Sequence, residues 1–189
     1  MKLLIVYGTS EGHTASIANF MADLAETKGV EVELLDSATL TKPLTNQGWN
    51  AAIVGGSVHQ GTHQVSIRAF VQNNLSILQT LPSAFFSVSL SAAVKDDMHQ
   101  AEALSYVTSF LEEVTWQPLA TACFAGAIKH GEYDYFKEMV LRLLARQLGG
   151  DTVKKVDVSY TDWRDVQTFV EDFLERLSPL EVREEASSR

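Results

Sequence analysis

The stretch LLIVYGTSEGHTASIANFM, residues 3–21, decides the fold of this chain. Five apolar residues lead into Gly8, a pattern typical of a parallel strand that is buried on both faces. After the following turn, Ile17, Phe20 and Met21 keep the spacing of an amphipathic helix. The turn itself contains Gly, Thr, Ser, Glu and His but no Lys or Arg. This stretch therefore predicts a strand, a polar turn and a helix.

The same alternation of strand and helix continues along the chain. Further strand-like runs are VEVELLD, NAAIVGGSV, SAFFSVSLS and ATACFAGAI, and helical patterns follow at residues 65–78, 102–114 and 166–177. This order predicts an α/β fold, in which a five-stranded parallel sheet carries helices on both faces. We expect one domain over residues 1–178 and a polar C-terminal tail over residues 179–189.

One segment breaks the alternation. Residues 129–152 follow the fifth strand and precede the strand-like run VKKVDVSY, so we expect an insertion that interrupts the last strand. Residues 129–155 carry six Lys or Arg and four Asp or Glu, a net charge of +2, whereas the whole chain carries -9. The apolar residues of the insertion recur at helical spacing. Such a helix either packs on the core or lies on an anionic membrane surface.

The composition limits the classes of function. The 189 residues are 46% hydrophobic, and the acidic net charge disfavours non-specific binding of nucleic acid. A single cysteine, Cys123, excludes disulfides and cysteine-based metal sites within one chain, and we expect it to be a buried structural thiol. The histidines show no metal-ligand spacing. His59 and His63 are predicted to be surface or hydrogen-bonded histidines, with proton transfer to or from a bound ligand as the alternative for His59. The stretch VKDDMHQ, residues 94–100, is predicted to be a solvated loop.

The polar turn after the first strand is suited to an anion. The N-terminus of a helix presents unsatisfied N–H groups and a dipole that favours negative charge. Thr9, Ser10 and Thr14 add hydroxyl groups, and Gly12 lets the backbone turn close to a ligand. The turn matches neither the P-loop nor the Gly-x-Gly-x-x-Gly pattern. An ordinary capped helix is the alternative.

The ends of two further strands carry small residues, in VGGSVHQGTHQ and SVSLSAAVKDD. Ligands of open parallel sheets bind outside the carboxyl ends of the strands, where all three loops meet. The stretch IVYGTSEGHT resembles the flavodoxin phosphate loop, Thr/Ser-x-Thr-Gly-x-Thr, with Glu11 where flavodoxins often have threonine. In addition, VGGSVHQGTHQ, LPSAFFSVSLS, AGAIKHGEYDYF with GGDT, and VSYTDW resemble the menaquinone-dependent protoporphyrinogen oxidases. That family has a flavodoxin-like fold, and the likeness spans residues 2–177.

The resemblance implies FMN as the cofactor and three groups of cofactor-binding residues. The phosphate contacts would come from Thr9, Ser10, Glu11, Gly12, His13 and Thr14. The flavin-ring contacts would come from Ser57, Val58, His59, Gln60 and Gly61, and from Ser89, Leu90, Ser91 and Ala92. No catalytic residue and no metal ligand follows. Neither ring loop has the aromatic residue that flavodoxins stack on the flavin, which favours an oxidase with an open flavin face.

The family's reaction is the oxidation of protoporphyrinogen IX to protoporphyrin IX in haem biosynthesis, with a quinone as electron acceptor. The resemblance implies these partners here. We expect a cytoplasmic protein. Residues 129–152 either pack on the core or contact the cytoplasmic face of the inner membrane peripherally. Three other functions remain: a flavodoxin-type electron carrier, a general flavin-dependent quinone or NAD(P)H reductase, and a binding module without flavin.

Overall fold

Strands and helices alternate along the part of the chain that the computed structural model describes, residues 1–40, 42–45, 47–128 and 158–187. In chain order the elements are β1 Lys2–Gly8, α1 His13–Thr27, β2 Glu31–Asp36, β3 Ala51–His59, β4 Thr62–His63, α2 Val65–Asn73, α3 Leu75–Thr80, β5 Ser83–Ser89, α4 Asp97–Glu113, β6 Ala120–Ala125, β7 Ala127–Ile128, β8 Val158–Ser159 and α5 Trp163–Ser187. Short 3-10 turns occupy Ser37–Thr39 and Ser91–Ala93.

The main sheet has the strand order β2-β1-β3-β5-β6, and these five strands are parallel. The two-residue strand β4 pairs antiparallel with the end of β3. The predicted five-stranded parallel sheet is therefore confirmed. Strand order reverses between β1 and β3, where Gly8 is paired with Gly56. A crevice at such a reversal is the usual ligand site of open parallel sheets.

Helices cover both faces of this sheet, as predicted. On one face α1 and α5 pack against the sheet, with Ile17, Phe86 and Val170 in the buried cluster. On the other face the buried cluster joins side chains of α2 and α4 to Phe85 and Trp116. The side chains of neighbouring residues Phe85 and Phe86 therefore enter different cores, because successive strand residues point to opposite faces.

Two helices differ from the prediction. The segment at residues 65–78 is broken at Asn74, whose side chain accepts from Leu44 N at 2.7 Å and donates to Phe70 O at 2.8 Å. Helix α4 begins at Asp97, so the prediction of a solvated loop over residues 94–100 is wrong for its second half. Asp96 caps this helix, since its Oδ1 accepts from His99 N at 2.9 Å.

The two ends of the predicted insertion lie side by side. β7 pairs antiparallel with β8, with Ala127 opposite Ser159, and forms a sheet separate from the main one. The chain thus returns beside β7 and not as a further parallel strand. The predicted insertion, residues 129–152, lies outside the described residues, and the single-domain boundary remains a prediction. α5 continues to Ser187, through most of the segment predicted as a tail.

Candidate functional site

A cleft of about 990 Å³ opens at the carboxyl ends of β1, β3 and β5. The structure brings all three predicted loops to it. Thirteen of the fifteen predicted residues line the cleft, namely Thr9, Ser10, Glu11, His13, Thr14, Ser57, Val58, His59, Gln60, Gly61, Ser89, Leu90 and Ser91. The cleft is also lined by residues that were not predicted, namely Val88, Met98, His99, Glu102, Tyr106 and Gly126.

The two remaining predicted residues shape the loops without lining the cleft. Gly12 has a φ of 88°, the left-handed region that favours glycine, and its N–H donates to Thr9 Oγ1 at 2.8 Å. Ala92 lies in the 3-10 turn after β5, where its N–H donates to Ser89 Oγ at 3.3 Å. Both contacts fold a loop back onto a hydroxyl group.

The N-terminus of α1 presents to the cleft backbone donors that have no acceptor within the helix. The first backbone bond of the helix runs from Ser16 N to Gly12 O at 3.1 Å, so the three preceding N–H groups have no acceptor within the helix. No side chain caps this end. Thr14 is fully buried, and its Oγ1 has no hydrogen-bond partner among the described residues. A buried hydroxyl without a partner is costly, so Thr14 is suited to donate a hydrogen bond to an anionic ligand at this end of the cleft.

Gln64 joins the loop after β1 to the end of β3. Its Oε1 accepts from Ser57 N at 3.1 Å, and its Nε2 donates to Ser10 Oγ at 3.2 Å and to Ser57 Oγ. The side chain thereby fixes the spacing between two loops that line the cleft. Gln64 was not among the predicted residues, because nothing in the sequence shows that its amide reaches both loops.

A tight hairpin presents the predicted ring-contact residues at the end of β3 and in the turn that follows it. His59 pairs with Thr62, and the two residues between them, Gln60 and Gly61, have φ angles of 49° and 81°. Two successive positive φ angles are what a type I′ hairpin turn requires. The turn exposes His59 at the mouth of the cleft.

His63, at the end of the same hairpin, lies away from the cleft. It is buried, its Nε2 is 2.9 Å from Ser87 Oγ, and its ring lies 4.7 Å from that of Phe110. Burial, with a smaller contribution from the positive charge of Arg68, lowers the pKa of His63 to about 4. It is therefore a neutral, hydrogen-bonded histidine, one of the two predicted alternatives.

Helix α4 forms a polar wall that the sequence prediction missed. His99, Glu102 and Tyr106 lie at positions i, i+3 and i+7 and line the cleft together. Ser91 Oγ donates to Glu102 Oε2 at 2.7 Å, which ties the loop after β5 to this wall. Tyr106 brings to the cleft an aromatic ring that neither ring loop contains. Among the described residues that line the cleft, none is Lys or Arg.

The single cysteine lies near this wall but not in the cleft. Cys123 is half-buried, with its Sγ 3.5 Å from Ala103 O, and burial raises the pKa of its thiol. Such a thiol has little thiolate character and suits a structural role. Within the described part of the chain, no group of three or more His, Cys, Asp or Glu side chains is placed to hold a metal ion.

Comparison of the sequence with known proteins shows which family this chain belongs to. The sequence model of the flavodoxin domain matches residues 4–155. The chain belongs to the flavodoxin domain family. Family membership supports a flavin as the cofactor. A flavodoxin of Streptococcus pneumonia TIGR4 superposes with a TM-score of 0.53 at 15% identity, over 95% of this chain and 99% of the other, and shares its fold.

The relatives of this flavodoxin-domain chain carry more specific names. It is 28% identical over 172 residues to a protoporphyrinogen IX dehydrogenase [quinone] of Escherichia coli K12, covering 91% of this chain and 94% of that protein. It is 31% identical over 173 residues to a protein of the same name from Leishmania major, covering 91% of this chain and 74% of the relative. The flavodoxin-like fold and the resemblance to protoporphyrinogen oxidases are thus confirmed.

Proposed function

We propose that this protein is an FMN-dependent oxidoreductase that converts protoporphyrinogen IX to protoporphyrin IX and passes the electrons to a quinone. The observation that carries the proposal is the likeness, over 91% of the chain, to proteins named protoporphyrinogen IX dehydrogenase [quinone]. A likeness of this extent reaches well beyond the phosphate loop that flavodoxins have in common.

The phosphate of FMN would bind at the N-terminus of α1. The donors there are the hydroxyl groups of Thr9, Ser10 and Thr14 and the N–H groups of the first helical turn, which have no acceptor within the helix. Neutral donors together with the helix dipole favour a dianion without a cation in the loop. A phosphate oxygen near Thr14 Oγ1 would also supply the acceptor that this buried hydroxyl lacks.

The flavin ring would lie between residues 57–61 and residues 89–92. FMN, when bound, supplies the redox chemistry, and the protein positions the reacting groups. The cleft, at about 990 Å³, is near the upper end of the range for ligand pockets, roughly 300 to 1,000 Å³. It therefore leaves space beside a flavin for part of a second molecule. The pyrrole N–H groups of a porphyrinogen are donors, and the Glu102 carboxylate on the α4 wall is a suitable acceptor.

The insertion and the location of the protein belong to the same proposal. A quinone acceptor is lipid-soluble, and the basic residues of 129–155 would favour an anionic membrane surface. We therefore propose a cytoplasmic protein that contacts the inner membrane peripherally. None of the helices in the described part of the chain combines the length and the apolar character that crossing a bilayer requires.

Anaerobic mixing of FMN-loaded protein with protoporphyrinogen, with and without a menaquinone analogue, tests the function. We expect porphyrin fluorescence to rise in a quinone-dependent manner, above the rate of spontaneous oxidation in buffer with free FMN. No enhancement by a protein with a normal bound-flavin spectrum would refute the oxidase. Accumulation of a semiquinone on half-reduction would then indicate an electron carrier, and direct bleaching by NADPH a general reductase.

A further inference from the structure

Asp96 and His99 form a hydrogen-bonded pair on the α4 wall of the cleft. Asp96 Oδ1 lies 2.7 Å from His99 Nδ1 and accepts the backbone N–H of the same residue at 2.9 Å. The carboxylate therefore caps the helix and holds the imidazole ring at the same time. His99 is one of the residues that line the cleft, and its side chain is 20% exposed.

The bond to Asp96 determines which ring nitrogen can act as a base. An ionised carboxylate only accepts hydrogen bonds, so His99 Nδ1 carries a proton in this pair. In the neutral ring the lone pair then belongs to Nε2, and this atom has no partner within the part of the chain that the structure describes. An imidazole that is oriented by a carboxylate in this way is the usual arrangement of a general base.

The other histidines and the carboxylate of the wall are less suited to this role. His13 Nε2 is 2.6 Å from Thr161 Oγ1 at the phosphate end of the cleft. His63 lies outside the cleft and bonds Ser87. Glu102 accepts the hydroxyl of Ser91, and His59 lies at an exposed hairpin. Of these side chains, only His99 has both a carboxylate that orients its ring and a ring nitrogen without a hydrogen-bond partner among the described residues.

On the basis of the proposed function, we propose that His99 Nε2 accepts the proton that a porphyrinogen loses in its first two-electron oxidation. A C–H bond of a methylene bridge breaks, and its hydrogen leaves with both electrons to the oxidised flavin. The positive charge that develops on the substrate is shared with a pyrrole nitrogen, so a pyrrole N–H bond breaks in the same step. Its proton passes to Nε2, and its electron pair stays on nitrogen, which keeps the substrate neutral. Because the His99 side chain is partly exposed, solvent can remove the proton before the next cycle.

Other charged and titratable groups surround His99 and contribute to any pH dependence. Its own loop and helix carry Lys95, Asp96, Asp97, Glu102 and Tyr106; the phosphate loop carries Glu11 and His13; and the hairpin after β3 carries His59. The pH profile must therefore be compared between the wild-type protein and single variants, so that these groups stay the same in both.

The kinetic test measures flavin reduction by protoporphyrinogen in stopped-flow experiments without quinone. His99→Gln should slow reduction by about 100-fold or more, a typical loss for a general base, and should remove the acidic limb of the pH profile. Thr108→Ala, on the exposed side of the same helix, should match the wild type. Asp96→Asn keeps a good helix cap and should give an intermediate loss. FMN affinity, from flavin fluorescence, should be unchanged in His99→Gln.

A second measurement does not depend on activity. ¹⁵N spectra of histidine-labelled protein should show the neutral ring of His99 protonated on Nδ1, with this tautomer less populated in Asp96→Asn. A ring protonated on Nε2, or a His99→Gln protein that reduces flavin at the wild-type rate, would overturn the role of His99 and leave the proposed function intact. A wild-type protein that binds FMN but does not oxidise protoporphyrinogen would overturn both.

Discussion

His13 Nε2 lies 2.6 Å from Thr161 Oγ1, a contact that joins the N-terminus of α1 to the start of α5, 148 residues further along the chain. Thr161 Oγ1 also donates to Ala125 O at 2.7 Å. The hydroxyl has one proton, and the carbonyl can only accept it, so His13 Nε2 must donate to Thr161. The structure thus assigns a tautomer to His13 and connects three elements around one hydroxyl group.

Thr161→Val removes this junction with little change in shape. We expect the free energy of unfolding to fall by about 1 to 3 kcal/mol, because a carbonyl and an imidazole N–H lose their partner. Urea denaturation measures the change. In a double-mutant cycle with His13→Ala the effects should be non-additive by about 0.5 to 1.5 kcal/mol. Strict additivity would show that the two side chains do not interact in solution.

Thr14→Val tests the phosphate site. The substitution removes a buried hydroxyl that has no partner among the described residues, so the protein without flavin should be as stable as the wild type or more so. FMN should bind roughly 10-fold to 100-fold more weakly, the usual cost of one hydrogen bond to a charged group. Fluorescence titration gives the affinity. Thr27→Val, the same change at the exposed C-terminal end of α1, is the matched control, and equal affinity in both variants would contradict the assignment.

Gln64→Glu tests the tie between the two loops. The substitution keeps the shape of the side chain but removes the donor to Ser10 and Ser57 and introduces a negative charge near the phosphate site. FMN affinity should fall by about tenfold or more. Gln72→Glu on the exposed face of α2 adds the same charge at a distance from the cleft and should bind FMN normally. Similar losses in the two variants would indicate a general effect of charge.

His63 makes stability depend on pH. Its pKa is about 4 in the folded protein, below the ordinary value of 6.5. Between these values the unfolded chain takes up a proton that the folded protein does not, so the free energy of unfolding falls as the pH falls through this window. The fall amounts to about 3 kcal/mol at most. His63→Gln should lose this component, which urea denaturation from neutral pH to about pH 4.5 would reveal. Parallel curves for both proteins would be evidence against a neutral, buried His63.

Gly55→Ala should destabilise the protein. A Cβ atom at this position would lie 2.0 Å from Phe86 Cζ, and the ring is fully buried and cannot move aside. We expect a loss of about 1 to 3 kcal/mol, typical of overpacking. Gly126→Ala is the control, since its Cβ would meet nothing closer than Val88 Cγ1 at 3.5 Å. The difference in thermal unfolding midpoint between the two variants measures the effect, and equal midpoints would contradict the tight contact.

The parts of the fold that depend on local chemistry could be predicted from the sequence. The apolar run into Gly8 predicted β1, and the periodicity after it predicted α1. The alternation of strands and helices then predicted the parallel sheet. The start of α4 was missed because apolar periodicity becomes evident only from Leu104 onwards, whereas the helix begins at Asp97, directly after its polar cap Asp96. Polar caps mark helix ends that hydrophobic patterns do not show.

The site was predictable only where it is built from loops. Thr9 follows β1, and Ser57 and Ser89 lie in the last residues of β3 and β5; the carboxyl ends of these three strands must meet in a parallel sheet. Prediction of the α4 wall requires knowledge of which face of this helix covers the edge of the sheet, and that depends on packing between distant segments. The reach of Gln64 to Ser10 is likewise a tertiary contact. Asp96 followed by His99 was the available signal, because residues three apart on one helix turn can pair.

The pairing of β7 with β8 brings the two ends of the intervening segment together. Ala127 and Ser159 lie opposite each other on antiparallel strands, so the chain enters and leaves at one place, next to Gly126 on the cleft. Antiparallel strands can be joined by a two-residue turn. An Asn-Gly link between Ile128 and Val158 would therefore join the two strands without cutting any strand of the main sheet. Such a variant would assign the contribution of this segment independently of the flavin site.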